Sequence, residues 1–144
     1  GDFRNSNKIK EIIDKRKASK IYYLEYINKI HSLFKEILWK ELNLINPAPY
    51  SPNEKVKKID ELVILNIEYT DISIEFYNYI IQVNNKFEYN EKWDLIIDND
   101  SIREKVNRYM ETQEKLESEI NDWYDSLVRY QKEYMNYYNK LYNK

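Results

Sequence analysis

Few residues in this chain have the chemistry to catalyse a reaction or to hold a metal ion. His31 is the only histidine, and the position three residues before it is Asn28 rather than a carboxylate. Metal sites in helical bundles commonly use a Glu-x-x-His pair from each of two helices, which one histidine cannot supply. The chain has no cysteine and a single glycine, so we expect neither thiolate chemistry nor a Gly-rich phosphate loop. We therefore predict that the protein is not an enzyme and has no catalytic residues, no metal site and no cofactor.

A ladder of acidic residues in the last third of the chain is the next group that could do chemistry. Its members are Glu111, Glu114, Glu117, Asp122 and Asp125. Paired carboxylates perform acid–base work or bind calcium when a cleft or a loop gathers their oxygens. On one straight helix they point outward instead, so we expect this ladder to be a solvated face.

Aromatic and basic residues are concentrated in the last turns of the chain. The bundle brings the end of the first helix and the loop after it to the same place. We call this group the aromatic-basic end; it consists of Trp39, Tyr50, Arg129, Tyr130, Tyr134, Tyr137, Tyr138 and Tyr142. Tyr and Arg are favoured interface anchors, and aromatic rings among basic residues also stack on bases or sugars. Alternatively, the tyrosines fill a helical seam while their hydroxyl groups reach water. The group is our predicted binding surface, with this packing role as the competing interpretation.

The elements that position these residues are long helices, and the third has the clearest pattern. Apolar residues recur in alternating steps of four and three, which is a heptad seam. The seam comprises Ile102, Val106, Tyr109, Gln113, Leu116, Ile120, Trp123, Leu127, Tyr130, Tyr134, Tyr137 and Leu141, with Gln113 as its polar member. Ser101 followed by Glu104 predicts a capping-box start. The predicted helix spans about residues 101–142.

The first predicted helix spans about residues 6–44 and begins near Asn5 or Ser6. It ends before Pro47 and Pro49, because proline removes a backbone donor and restricts the residue before it.

The second predicted helix spans about residues 52–89, with Ser51 as its N-cap and Pro52 at its first position. It carries two apolar stripes, which predicts cover on two sides. Residues 72–76 alternate like a strand, but the surrounding period is helical, so we predict helix there. The connection at residues 90–100 is polar and acidic, with room for one helical turn.

Together these patterns predict an all-α fold: an elongated up-down-up antiparallel three-helix bundle with coiled-coil-like packing, forming a single domain over residues 1–144. Residues 2–20 carry seven basic and three acidic side chains, whereas residues 88–125 carry five basic and twelve acidic ones. Antiparallel packing would place the basic segment beside five acids of the second connection. These acids are Glu88, Glu91, Asp94, Asp98 and Asp100.

The lack of catalytic and metal-binding motifs, together with the aromatic-basic end, favours a non-enzymatic helical interaction module. One version is an exported or lipid-tethered surface protein of an AT-rich bacterium. Lys, Asn, Ile and Tyr supply 69 of the 144 residues, and the first residue is Gly1 rather than Met. Extracytoplasmic location is slightly favoured over cytoplasmic. The alternative is an intracellular phage or mobile-element regulator that blocks a protein by docking its acidic third helix. We expect a protein partner or a homodimer, no specific nucleic acid, and membrane contact only through an N-terminal tether.

Overall fold

The fold is an all-α bundle of three long helices, as the sequence predicts. The computed structural model describes the backbone of residues 2–30, 33, 36 and 52–142, and the side chains of these residues except 30, 52–56 and 134. The predicted end of the first helix near residue 44, the N-cap Ser51 and His31 lie outside the described residues.

Helix α1 spans Ser6–Glu25 and continues as a π-helix over Tyr26–Ile30. Helix α2 spans Pro52–Val83, so the helical interpretation of residues 72–76 is confirmed. A 3-10 turn over Asn84–Lys86 follows it. Helix α3 spans Asp100–Tyr142, close to the predicted bounds.

A small β-hairpin between α2 and α3 corrects two predictions. Strand β1, Phe87–Tyr89, pairs antiparallel with strand β2, Leu95–Ile97. Helix α2 therefore ends at Val83 rather than near residue 89, and the second connection is a hairpin rather than a loop with a helical turn. Aromatic and β-branched residues favour strands. The hairpin also buries one face, because Phe87 and Ile97 are paired and only 4% and 6% exposed.

Asparagine side chains cap two of the helices. The Oδ1 of Asn5 accepts a hydrogen bond from the Lys8 N–H at 3.2 Å, which confirms the predicted start of α1. At α3 the Oδ1 of Asn99 accepts from the Ile102 N–H at 3.0 Å. The predicted cap Ser101 was therefore wrong, since it lies inside the first turn, and Asn99 satisfies an N–H group that the helix leaves open.

The chain contacts divide into two compact units. The first comprises Gly1–Ile21 and Ile67–Glu117, and the second comprises Tyr22–Asn66 and Ser118–Lys144. The core of the first unit contains residues from α1, α2, α3 and the hairpin. Its buried members are Ile9, Ile13, Phe76, Ile80, Phe87, Ile97 and Val106.

The second unit uses polar side chains within its packing. The Tyr23 hydroxyl donates to the Oδ1 of Asn66 at 3.3 Å, and the Lys58 ammonium lies 5.1 Å from the centre of the Trp123 ring. Burial raises the pKa of the Tyr26 hydroxyl, and the negative charge of Asp60 raises it further.

The predicted seam of α3 is buried or partly buried at each described position from Ile102 to Tyr137, whereas Leu141 is 41% exposed. Its polar member has a specific partner. The Nε2 of Gln113 donates to the Oγ of Ser73 at 3.1 Å, and Ser73 is fully buried on α2. This pair links α2 to α3 within the first unit.

We predict that Gln113→Leu lowers the free energy of unfolding by about 1–2 kcal/mol, because it removes the partner of a buried hydroxyl. Adding Ser73→Ala should recover most of this loss, since an apolar pair buries no open polar group. Urea denaturation of the two single variants and the double variant measures the coupling. A double variant no more stable than Gln113→Leu would contradict the account.

The start of α1 lies against the hairpin as predicted, but the contact is aromatic rather than ionic. The Phe3 N–H donates to the Tyr89 hydroxyl at 2.9 Å, and the Phe3 ring lies 6.4 Å from that of Phe87. Among the described side chains, none of the five acids of the second connection forms an ion pair with the basic segment, and Asp100 pairs with Arg103 of α3. The Lys20 ammonium instead pairs with Asp71 on α2.

Candidate interaction surfaces

The predicted aromatic-basic end is divided by the structure. Trp39, Tyr50 and the side chain of Tyr134 lie outside the described residues. Tyr130 is only 7% exposed, so it packs in the interior rather than presenting a surface.

The remaining members of this end lie at or near the surface. Arg129 is exposed, Tyr137 and Tyr138 are partly buried, and Tyr142 is 63% exposed. The rings of Tyr138 and Tyr142 lie 4.5 Å apart. The structure thus brings these two tyrosines together in the last turns of α3.

The acidic ladder of α3 faces solvent at all five of its positions, as expected. The described residues also contain no group of three or more His, Asp or Glu side chains that could hold a metal ion. Within this part of the chain, the carboxylates therefore form a charged surface.

An open groove in the first unit brings together side chains of α2 and α3. Its lining includes Ile72, Glu75, Arg108 and Tyr109. The Tyr109 hydroxyl donates to the Oε1 of Glu75 at 2.9 Å. Burial raises the pKa of Tyr109, and this hydrogen bond raises it further because it stabilises the protonated phenol. Two polar groups of the groove, the Glu75 carboxylate and the Tyr109 hydroxyl, are thus already hydrogen-bonded to each other.

The turn of the hairpin is ordered by Asn90. Its Oδ1 accepts hydrogen bonds from the backbone N–H groups of Lys92 and Asp94, both at 2.9 Å. Its Nδ2 donates to the Oδ2 of Asp94 at 2.9 Å, and its backbone carbonyl accepts from the Trp93 N–H at 3.0 Å. The side chain and the backbone carbonyl of Asn90 therefore bond to Lys92, Trp93 and Asp94 across the turn.

Trp93 occupies the position of this turn where glycine is usual. Its φ is 65°, and no other described residue that is not glycine has a positive φ. The Asn90 N–H donates to the Asp94 carbonyl at 3.1 Å, so residues 91–93 form a three-residue loop beyond the strands. Such a loop commonly places a left-handed residue at its third position, and a bulky side chain in that conformation is an outlier. Trp93 is nevertheless 70% exposed, so its large apolar ring receives little burial in return.

The ring of Tyr89 lies beside that of Trp93. The two rings lie 6.1 Å apart, and the Arg4 guanidinium lies 4.7 Å from the centre of the Tyr89 ring. Arg4 is in turn bound to both carboxylate oxygens of Asp2, at 3.0 and 3.2 Å. These hydrogen bonds hold the pKa of the Asp2 carboxyl below its ordinary value and raise that of Arg4. The N-terminal segment is thus part of the hairpin's support.

We define the hairpin tip as Tyr89 and Trp93, whose ring centres lie 6.1 Å apart. Reasoning from the sequence missed it, because a Gly-free turn gave no hairpin signal. The available signal was the pair of short segments Phe87–Tyr89 and Leu95–Ile97, rich in aromatic and β-branched residues, on either side of a polar stretch.

Among the described helices, none combines the length and the apolar character that crossing a bilayer requires. No protein-family profile matches the chain, and comparisons with curated proteins and with solved structures find no match. Functional inference for this chain therefore starts from its own surfaces.

Proposed function

We propose that the protein is a non-enzymatic interaction module that binds a protein partner through the hairpin tip. The observation that carries this proposal is Trp93, a large apolar side chain that is 70% exposed on a backbone of φ 65°. A conformation of this kind costs about 1–3 kcal/mol and is concentrated at functional sites. Trp is also among the residues most enriched at the energetic centres of interfaces.

The exposure of Trp93 favours binding, and so do the contacts that hold the tip in place. Asn90 orders the turn, and the Tyr89 ring, held by Phe3 and flanked by Arg4, limits the freedom of the indole. A side chain that is ordered before binding loses less conformational entropy on association. The tip can therefore contribute affinity with a small contact area.

Two other surfaces correspond to the expectations from the sequence. The first is the pair formed by Tyr142, which is 63% exposed, and the partly buried Tyr138 in the aromatic-basic end. The exposed acids of α3 are the surface that an intracellular blocking regulator would use. The experiment below compares the hairpin tip with both surfaces.

The test immobilises the full chain and its variants and compares the proteins that each retains from an extract of the source cells. We expect Trp93→Gly to lose specific proteins that the native chain retains, with at least a tenfold fall in the amount bound, since truncating a central interface residue costs about 2 kcal/mol or more. Retained proteins are identified by mass spectrometry.

Two matched variants locate the surface. The double variant Tyr138→Ala and Tyr142→Ala removes the aromatic pair in the last turns of α3. The double variant Glu114→Lys and Glu117→Lys reverses charge on α3. Neither variant should change retention. If Trp93→Gly retained the same proteins as the native chain, the tip would not be the binding surface. Loss in either control would assign binding to that surface instead.

A further inference from the structure

We infer that the partner's docking surface is a basic-rimmed apolar pocket on a protein, into which the Trp93 indole inserts. This inference rests on the proposed function and adds the chemistry of the partner. It follows from the charges that surround the tip rather than from the exposed indole itself.

The hairpin and its flanks carry a strong excess of negative charge. Residues 86–100 contain five acidic and two basic side chains, all of which are exposed. They are Lys86, Glu88, Glu91, Lys92, Asp94, Asp98 and Asp100. Arg4 and Asp2 pair with each other, and Asp100 pairs with Arg103, which leaves the four acids Glu88, Glu91, Asp94 and Asp98 against Lys86 and Lys92. A partner that meets the indole therefore meets a local excess of acidic side chains.

The apolar ring of Trp93 defines the centre of the contact. Trp93 is exposed, whereas Phe87 and Ile97 on the two strands are buried, and Ile96 pairs with Glu88 on the opposite face of the hairpin from Tyr89. An anchor that projects from a turn is best buried in a concave apolar site, with polar and charged groups at its rim. Because the acids surround the tip, the complementary rim carries Lys and Arg, which raise the association rate and make it dependent on salt.

The same charges disfavour other uses of an exposed tryptophan. Trp is enriched at bilayer interfaces, but anionic membrane surfaces attract basic segments and repel acidic ones. Nucleic acid is excluded on the same ground, since its phosphates dominate affinity. A protein with a basic rim is the partner class that satisfies both the indole and the acids.

The test uses a display library of random peptides, selected separately on the full native chain and on Trp93→Gly. Peptides specific for the native chain should be enriched in Lys and Arg together with large apolar residues. A synthetic peptide from this set should bind at least tenfold more weakly when NaCl rises from about 50 to 500 mM, because salt screens exposed charges. Glu88→Lys with Glu91→Lys should weaken it to a similar degree at low salt.

The control is the charge reversal Glu114→Lys with Glu117→Lys, which makes an equal change of charge on the exposed face of α3 and should leave affinity within about twofold. Trp93-dependent peptides without a basic bias would overturn this inference and leave the proposed function intact. Peptides that bind native chain and Trp93→Gly equally would overturn both. Trp93-dependent binding to phosphatidylglycerol vesicles, with none to peptides, would show that the tip meets a membrane instead.

Discussion

Replacing Trp93 by glycine is expected to leave the free energy of unfolding unchanged or to raise it by up to about 1 kcal/mol, although the change removes the largest side chain type. A buried aromatic residue truncated in this way would cost about 3–5 kcal/mol. The difference arises because Trp93 is 70% exposed and its φ of 65° suits glycine. Glycine adopts the left-handed conformation without strain, which stabilises the folded state. The loss of the Tyr89 contact and the greater freedom of the unfolded chain offset part of this gain in stability.

The comparison of Trp93→Gly with Trp93→Ala isolates the backbone contribution. Both variants remove the indole and its contact with Tyr89, but alanine must still adopt the left-handed conformation. We expect the glycine variant to be more stable than the alanine variant by about 1 kcal/mol. Thermal and urea denaturation, followed by circular dichroism, measure the difference.

Tyr124 supplies the matched control for this pair. It is 58% exposed in the interior of α3, where the backbone is helical. There the order should reverse, and Tyr124→Gly should be less stable than Tyr124→Ala by about 1 kcal/mol. If alanine were the more stable replacement at both positions, the backbone at Trp93 would not be strained. The proposal that this strain marks a binding surface would then be contradicted.

The helices could be predicted from the sequence because their patterns are long and regular. The seam of α3 repeats over about forty residues, so an error at one position does not alter the assignment. The start of α1 at Ser6 depended on a local cap and was also predictable. The cap of α3 was misassigned, because Ser101 and Asn99 are both good N-cap residues and the capping-box spacing favoured the wrong one.

The hairpin could not be predicted with the same reasoning, because each strand has three residues and short apolar runs fit helix and strand equally well. Its stability comes from distant contacts. Phe87 and Ile97 enter a core built by α1, α2 and α3, and Tyr89 is held by the backbone of Phe3. No local pattern around residue 90 contains that information.

The candidate site depended on the same distant contacts. A count of tyrosines favoured the aromatic-basic end, yet Tyr130 is buried there. A single tryptophan in a polar connection has no pattern around it that predicts a binding surface, whereas its exposure and backbone conformation make it the stronger candidate. Residue type indicates what a surface could bind, whereas burial decides whether a surface exists.

Phe76→Ala is expected to cause the largest loss of stability, about 3–5 kcal/mol. Phe76 is 2% exposed, and its ring lies 6.0 Å from that of Phe3 and 5.5 Å from that of Tyr109. The change removes core area and leaves a cavity where α1, α2 and α3 meet within the first unit. Because small domains have only about 5–15 kcal/mol of stability, much of the total would be lost.

The consequence should reach the hairpin tip, because Phe3 both packs on Phe76 and donates its N–H to Tyr89. At temperatures where Phe76→Ala remains folded, hydrogen exchange at the Phe3 amide should therefore accelerate, and peptide binding at the tip should weaken. Ile64→Ala is the control on the same helix. Ile64 is 48% exposed, so its loss should cost no more than about 0.5 kcal/mol and leave the tip unchanged. Equal effects of the two substitutions would mean that Phe76 does not connect the core to the tip.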